Sequence, residues 1–199
     1  MPFLSPRTAS VQRTTRETEI ALELNLDGSG RSTIATGIAF FDHMLTALAL
    51  HSRMDLSLTC RGDLAVDDHH TVEDCSIALG TAIDRALGGR AGIARFGYAY
   101  APLDEALARA VVDCSGRPFA RVNVGLQRER LGELSCENVP HAFASLATAA
   151  RITLHVDLLA GENDHHRAEA AFKAVALALR AAVARGEGTD VASTKGVLV

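Results

Sequence analysis

Residues 162–173 read ENDHHRAEAAFK, with two adjacent histidines, His165 and His166, followed by Glu169 and then Lys173. Residues 67–74, DDHHTVED, repeat the HHxxE pattern at His69, His70 and Glu73. Each residue of the second copy lies 96 positions after its counterpart in the first. Two copies in register, half a chain apart, indicate a duplicated unit in which each half supplies metal ligands.

Both motifs open segments with helical apolar spacing. Ile77, Leu79, Ile83 and Leu87 follow the first; Ala170, Phe172, Val175, Leu177 and Leu179 follow the second. Asp67 or Asp68, and Asn163 or Asp164, stand where N-caps belong. On a helix, positions i and i+4 lie about 40° apart, whereas i and i+1 diverge by roughly 100°. His69 with Glu73, and His165 with Glu169, can therefore grip one ion from one face. His70 and His166 point elsewhere and can reach a second ion. Imidazole plus carboxylate without thiolate suits a divalent ion such as Mn, Fe or Zn.

The 199 residues allow one large domain or two small ones, and a hydrophobic content of 48% is enough for an ordinary core. A net charge of −4, from 20 basic and 24 acidic residues, gives no electrostatic case for nucleic acid or an anionic membrane. Four scattered cysteines without a CxxC read as reduced, buried thiols of a cytoplasmic protein. Residues 1–10 lack the apolar core of a secretory signal and read as a loose tail. The apolar run at 170–184, interrupted by Lys173 and Arg180, falls short of a membrane span.

Along the chain, residues 14–26 alternate as a half-buried strand. Residues 27–30 form a turn, and 31–36 return as the partner strand. Residues 37–51 form a helix carrying His43, and 55–60 a strand before the first HHxxE helix, which Gly88-Gly89 ends. In the second half, 93–100 is a strand, and 106–114 and 118–126 pair around Ser115-Gly116-Arg117. A helix at 139–150 carries His141, a strand spans 152–158, and the second HHxxE helix follows. The boundary falls between half-repeats 1–92 and 93–199, with 187–199 a flexible tail contributing to the site. His141 follows His43 by 98 positions. Each half thus offers three histidines and one glutamate, enough for two ions with three His and one Glu each. His155 reads as structural, and the role of His51 is open. Glu17 alone is one carboxylate on a polar face. Arg95, Arg117, Lys173 and residues 193–196 would together suit a phosphate.

FFDHML (40–45), DDHHTVED (67–74), PLDEALARAVVDCSGRP (102–118), ENDHHRAEAAFKA (162–174) and STKGVL (193–198) resemble the imidazoleglycerol-phosphate dehydratase family. The resemblance covers nearly the whole chain from about Thr14. It implies an α/β (α+β) fold, an internally duplicated ribosomal-S5-domain-2-like unit packed as one compact subunit. It also implies a 24-subunit homo-oligomer with active sites between subunits and two manganese ions per site. His43, His70, His165 and Glu169 would hold one ion, and His69, Glu73, His141 and His166 the other, with ligands of one site drawn from different subunits.

The implied reaction is dehydration of imidazoleglycerol phosphate to imidazole-acetol phosphate, a step of histidine biosynthesis. The substrate would bind the metals as an imidazolate and expel the neighbouring hydroxyl to give a diazafulvene-like intermediate, then an enol and the ketone. Glu17 is the nominated proton shuttle, with Asp104 the second candidate. His51, Arg95, Arg117, Lys173, Ser193, Thr194 and Lys195 match substrate or phosphate contacts. The chain departs from the family at Ala47, where many members carry a polar residue, often Gln, and at Ser52, where they carry Gly. Two other readings compete: a dinuclear metal-dependent phosphoester hydrolase, and a non-catalytic nucleic-acid module. The acidic balance and the lack of a basic, aromatic-studded face disfavour the latter.

Overall fold

Alternation of apolar and polar residues builds the first layer. β2 (Thr18–Asn25) buries Thr18, Ile20, Leu22 and Leu24 and exposes Glu19, Ala21 and Glu23. It pairs antiparallel with β1 (Thr8–Thr14) and with β4 (Asp55–Gly62), and β3 (Ser32–Ala35) completes a sheet of order β1-β2-β4-β3. In this computed structural model residues 6–186, 188, 190–196 and 198 are described. β1 starts at Thr8, inside the stretch read as a loose tail; residues 1–5 lie outside the described residues. The strand expected at 14–26 is divided by a tight turn. Thr15 Oγ1 accepts the amides of Glu17 and Thr18, which puts Glu17 at the tip of the β1–β2 hairpin.

β3 does not return onto β2 as expected; it lies beyond β4 and runs parallel to it. The reason is local. The amides of Ser29, Gly30 and Arg31 all donate to Asp55 Oδ1, which carries the chain across the start of β4. A parallel return then needs a crossover, and helix α1 (Ala39–Ser52) supplies it. Helix α2 (His69–Leu87) follows β4.

The second half repeats this order. Its elements are β5 (Phe96–Leu103), β6 (Ala106–Asp113), β7 (Phe119–Asn123), α3 (Asn138–Ala149), β10 (Thr153–Ala160) and α4 (Asp164–Val183). A two-stranded hairpin, β8 (Arg130–Leu131) with β9 (Leu134–Ser135), is inserted before α3. The sheet order is β5-β6-β10-β7, with β7 parallel to β10. Hence β6 and β7 do not pair with each other, contrary to expectation: β10 lies between them, delivered by the α3 crossover. The duplicated α/β fold is therefore present, with the same topology in both sheets.

The helices pack between the sheets and exchange partners. α2 covers β1 and β2, and α4 covers β5 and β6, but α1 packs on α4 and α3 packs on α2. One apolar core results, running through both halves. Small residues permit the closeness. Ala170, Ala171, Ala174 and Ala178 of α4 are fully buried, and a Cβ at Gly97 of β5 would lie 2.0 Å from the Ala178 carbonyl oxygen. Buried Arg90 ties the far ends together: it donates to the carbonyls of Ala150 and Arg151 and pairs with Asp84, joining the end of α2 to the end of α3. Among the described residues no helix is long and apolar enough to cross a membrane. The four cysteines are free and buried, and burial pushes the Cys114 thiol up to about 11.

Candidate metal centre

Matched caps start the two motif helices. Asp67 Oδ1 accepts the amide of His69 and Asn163 Oδ1 that of His165, each at 2.9 Å. Asp68 and Asp164, the other cap candidates, are buried and engaged elsewhere. Asp68 accepts the amide and hydroxyl of Ser135; Asp164 accepts the amides of Gln127 and Arg128.

The helix exchange brings ligand types together across the repeat. At the α1/α4 contact, His43 Nε2 lies 3.1 Å and His165 Nε2 3.3 Å from Glu169 Oε2. At the α2/α3 contact, His141 Nε2 lies 3.1 Å from Glu73 Oε1, and the His69 and His141 rings stack at 4.7 Å. In each cluster the three potential donor atoms lie within 4.8 Å of one another. Two imidazoles and one carboxylate converging without a thiolate fit a borderline-to-hard divalent ion. Burial works to raise the pKa of Glu169, but its bonds to Lys173 and His43 prevail and hold the carboxyl below its usual range. The Lys173 Nζ is 2.7 Å from Glu169 Oε1. Burial, reinforced by the Lys173 charge, lowers the pKa of nearby His51.

His70 and His166 join neither cluster within the chain, so each expected set of four is three plus one. His70 Nδ1 faces Asp63 at 3.1 Å, and its Nε2 lies 3.7 Å from Glu17. The bond to Asp63 raises the His70 pKa. His166 Nδ1 lies 2.7 Å from Glu105, with its Nε2 3.8 Å from Asp104. The amide of Asn163, together with His166, draws Glu105 down to about 2. Asp63, Glu105 and Asn138, whose Oδ1 lies 3.1 Å from His69 Nδ1, are contacts that the sequence reading missed. Only the acidic pair Asp104-Glu105 inside a motif segment hinted at one of them.

The basic residues fall into two groups. Arg95, Arg117, Ser193, Thr194 and Lys195 line one basin. Arg95 has left-handed backbone (φ 70°), holds Asp113 at 2.8 Å and donates to the Ala192 carbonyl. Lys173 and His51 instead lie with the α1/α4 cluster. Ala47 and Ser52 are buried in the core side of α1, the Ser52 hydroxyl donating to the Ala49 carbonyl.

The family model for imidazoleglycerol-phosphate dehydratase matches residues 36–179, a span holding all eight histidines and glutamates of the two expected ligand sets. The chain belongs to the imidazoleglycerol-phosphate dehydratase family. The dehydratase of Pyricularia oryzae is 54% identical over 98% of this chain and 98% of its own length. That of Salinibacter ruber is 54% identical, covering 99% and 98%. The Phytophthora nicotianae protein is 59% identical over 96% of this chain, which spans only 42% of that longer relative. Among solved structures, the Staphylococcus aureus dehydratase superposes with a TM-score of 0.81 at 37% identity, covering 89% of this chain and 99% of that one. The Pyrococcus furiosus dehydratase gives 0.82 at 39% identity, covering 94% and 100%.

Proposed function

We propose that this chain is a hydro-lyase of histidine biosynthesis, converting imidazoleglycerol phosphate to imidazole-acetol phosphate and water. It works with two manganese ions per active site, as a cytoplasmic homo-oligomer of 24 subunits with sites between subunits. The observation that supports this best is the pair of three-donor clusters, one at each helix exchange, each one histidine short of four. His43, His165 and Glu169 would hold one ion, completed by His70 of a neighbouring copy. His69, Glu73 and His141 would hold the other, completed by His166 of a neighbouring copy. When bound, manganese would supply Lewis acidity that lowers the pKa of a coordinated imidazole, so that the ring as its anion can donate electrons towards the neighbouring carbon.

The protein's own groups do the rest. Glu17 stands at a hairpin tip with its side chain 52% exposed and 3.7 Å from His70 Nε2, able to reach a bound substrate. It takes the proton from the carbon next to the one that loses hydroxide, and returns a proton to the latter as the enol becomes ketone. Asp104, beside His166, is the second candidate for that transfer. Arg95, Arg117, Ser193, Thr194 and Lys195 bind the phosphate by charge-assisted hydrogen bonds, with Lys173 and His51 orienting the substrate near the α1/α4 cluster. The direct test is to incubate the manganese-loaded protein with imidazoleglycerol phosphate. The lyase reading expects a ketone without inorganic phosphate; release of phosphate would make the protein a phosphoester hydrolase instead.

A further inference from the structure

We infer that Asp63 and Glu105 are positioning residues, each holding one outlying histidine, His70 or His166, with its proton on Nδ1 and its Nε2 free to ligate. The chemistry of the contact requires this. An ionised carboxylate only accepts, so the hydrogen between it and the ring belongs to the imidazole nitrogen. In a neutral ring the other nitrogen then carries the lone pair, which is how ligating histidines are commonly fixed. Asp63 meets His70 Nδ1 with both oxygens, at 3.2 and 3.1 Å, and Glu105 meets His166 Nδ1 with one, at 2.7 Å.

The two contacts come from non-equivalent places. Asp63 directly follows β4, whereas the counterpart just past β10 is Gly161, which has no side chain to offer. In the second half the role passes to Glu105, in the turn between β5 and β6. One arrangement thus arises twice from different parts of the fold, which simple copying of the repeat does not produce. Glu105 is the firmer of the two. Its other oxygen accepts the amides of Glu162 and Asn163, binding the hairpin to the start of α4 where His166 sits.

This inference rests on the two-metal reading, and the test separates the two. Full-length protein as purified is stripped of metal and titrated with Mn(II), with free Mn(II) read by electron paramagnetic resonance. Wild type is expected to take up two ions per chain. Asp63→Ala and Glu105→Ala are each expected to weaken one of those two ions by about 10- to 100-fold and leave the other unchanged. Asp63→Asn and Glu105→Gln keep an oxygen that accepts the Nδ1 hydrogen and are expected to recover most of the affinity. Wild-type uptake by both alanine variants overturns the inference. So does equal weakening of both ions without recovery in the amide variants, provided these melt like wild type. Failure of wild-type protein to bind Mn(II) would overturn the metal reading instead.

Discussion

The α1/α4 and α2/α3 clusters have the same two-histidine, one-glutamate composition but different surroundings. Beside Glu169, one turn on, stands Lys173, bonded at 2.7 Å; the matching position after Glu73 is Ile77. Three residues before His43 stands Phe40, edge-on to His165 at 5.1 Å; three before His141 stands Asn138, whose amide oxygen faces His69 Nδ1. Duplication has kept the two histidines and the glutamate and let their neighbours diverge. One cluster carries a cation against its carboxylate. The other carries a buried amide whose oxygen faces a histidine ring nitrogen.

The largest expected effect tests whether the clusters are equal in need. Glu73→Gln and Glu169→Gln should each bring turnover to background and lower manganese from two ions per chain to one, measured by metal analysis. Loss of both ions in either variant would show the clusters to be one cooperative unit. Next is Glu17→Gln, which should cut kcat by about 10²- to 10⁴-fold with manganese content near wild type; metal loss would make Glu17 a ligand. A smaller effect isolates one side. Gly97→Ala presses a methyl against α4, which carries His165 and Glu169. It should cost roughly 3 kcal/mol in chemical denaturation and weaken manganese at the α1/α4 cluster more than at the other. The smallest is a charge exchange. Lys173→Met should tighten manganese near Glu169, and Ile77→Lys should loosen it near Glu73, each by about 1 kcal/mol or roughly fivefold. If neither moves, Lys173 does not set the difference between the sites.

The two His/Glu clusters were legible because helical period and repeat register are both local arithmetic. His69 with Glu73 and His165 with Glu169 share a face at i and i+4, and the neighbouring His70 and His166 turn away to Asp63 and Glu105, as a rotation of about 100° per residue requires. The order of strands was not legible. Alternation marks β3 and β7 as strands, but their parallel partners are chosen by crossover helices and by the Asp55 clasp at the turn. The carboxylates behind His70 and His166 escaped for a related reason. Asp63 and Glu105 break the 96-residue spacing, so the repeat that exposed the histidines concealed the carboxylates they touch.

The most direct measurement is anomalous scattering at the manganese edge from crystals of the metal-loaded protein grown with an imidazole or triazole ligand. Two peaks per chain are predicted, one within coordination distance of His43, His165 and Glu169 and one within reach of His69, Glu73 and His141. Each should be closed by a histidine, 70 or 166, from a neighbouring copy. A single peak, or peaks touching neither triad, would contradict the account.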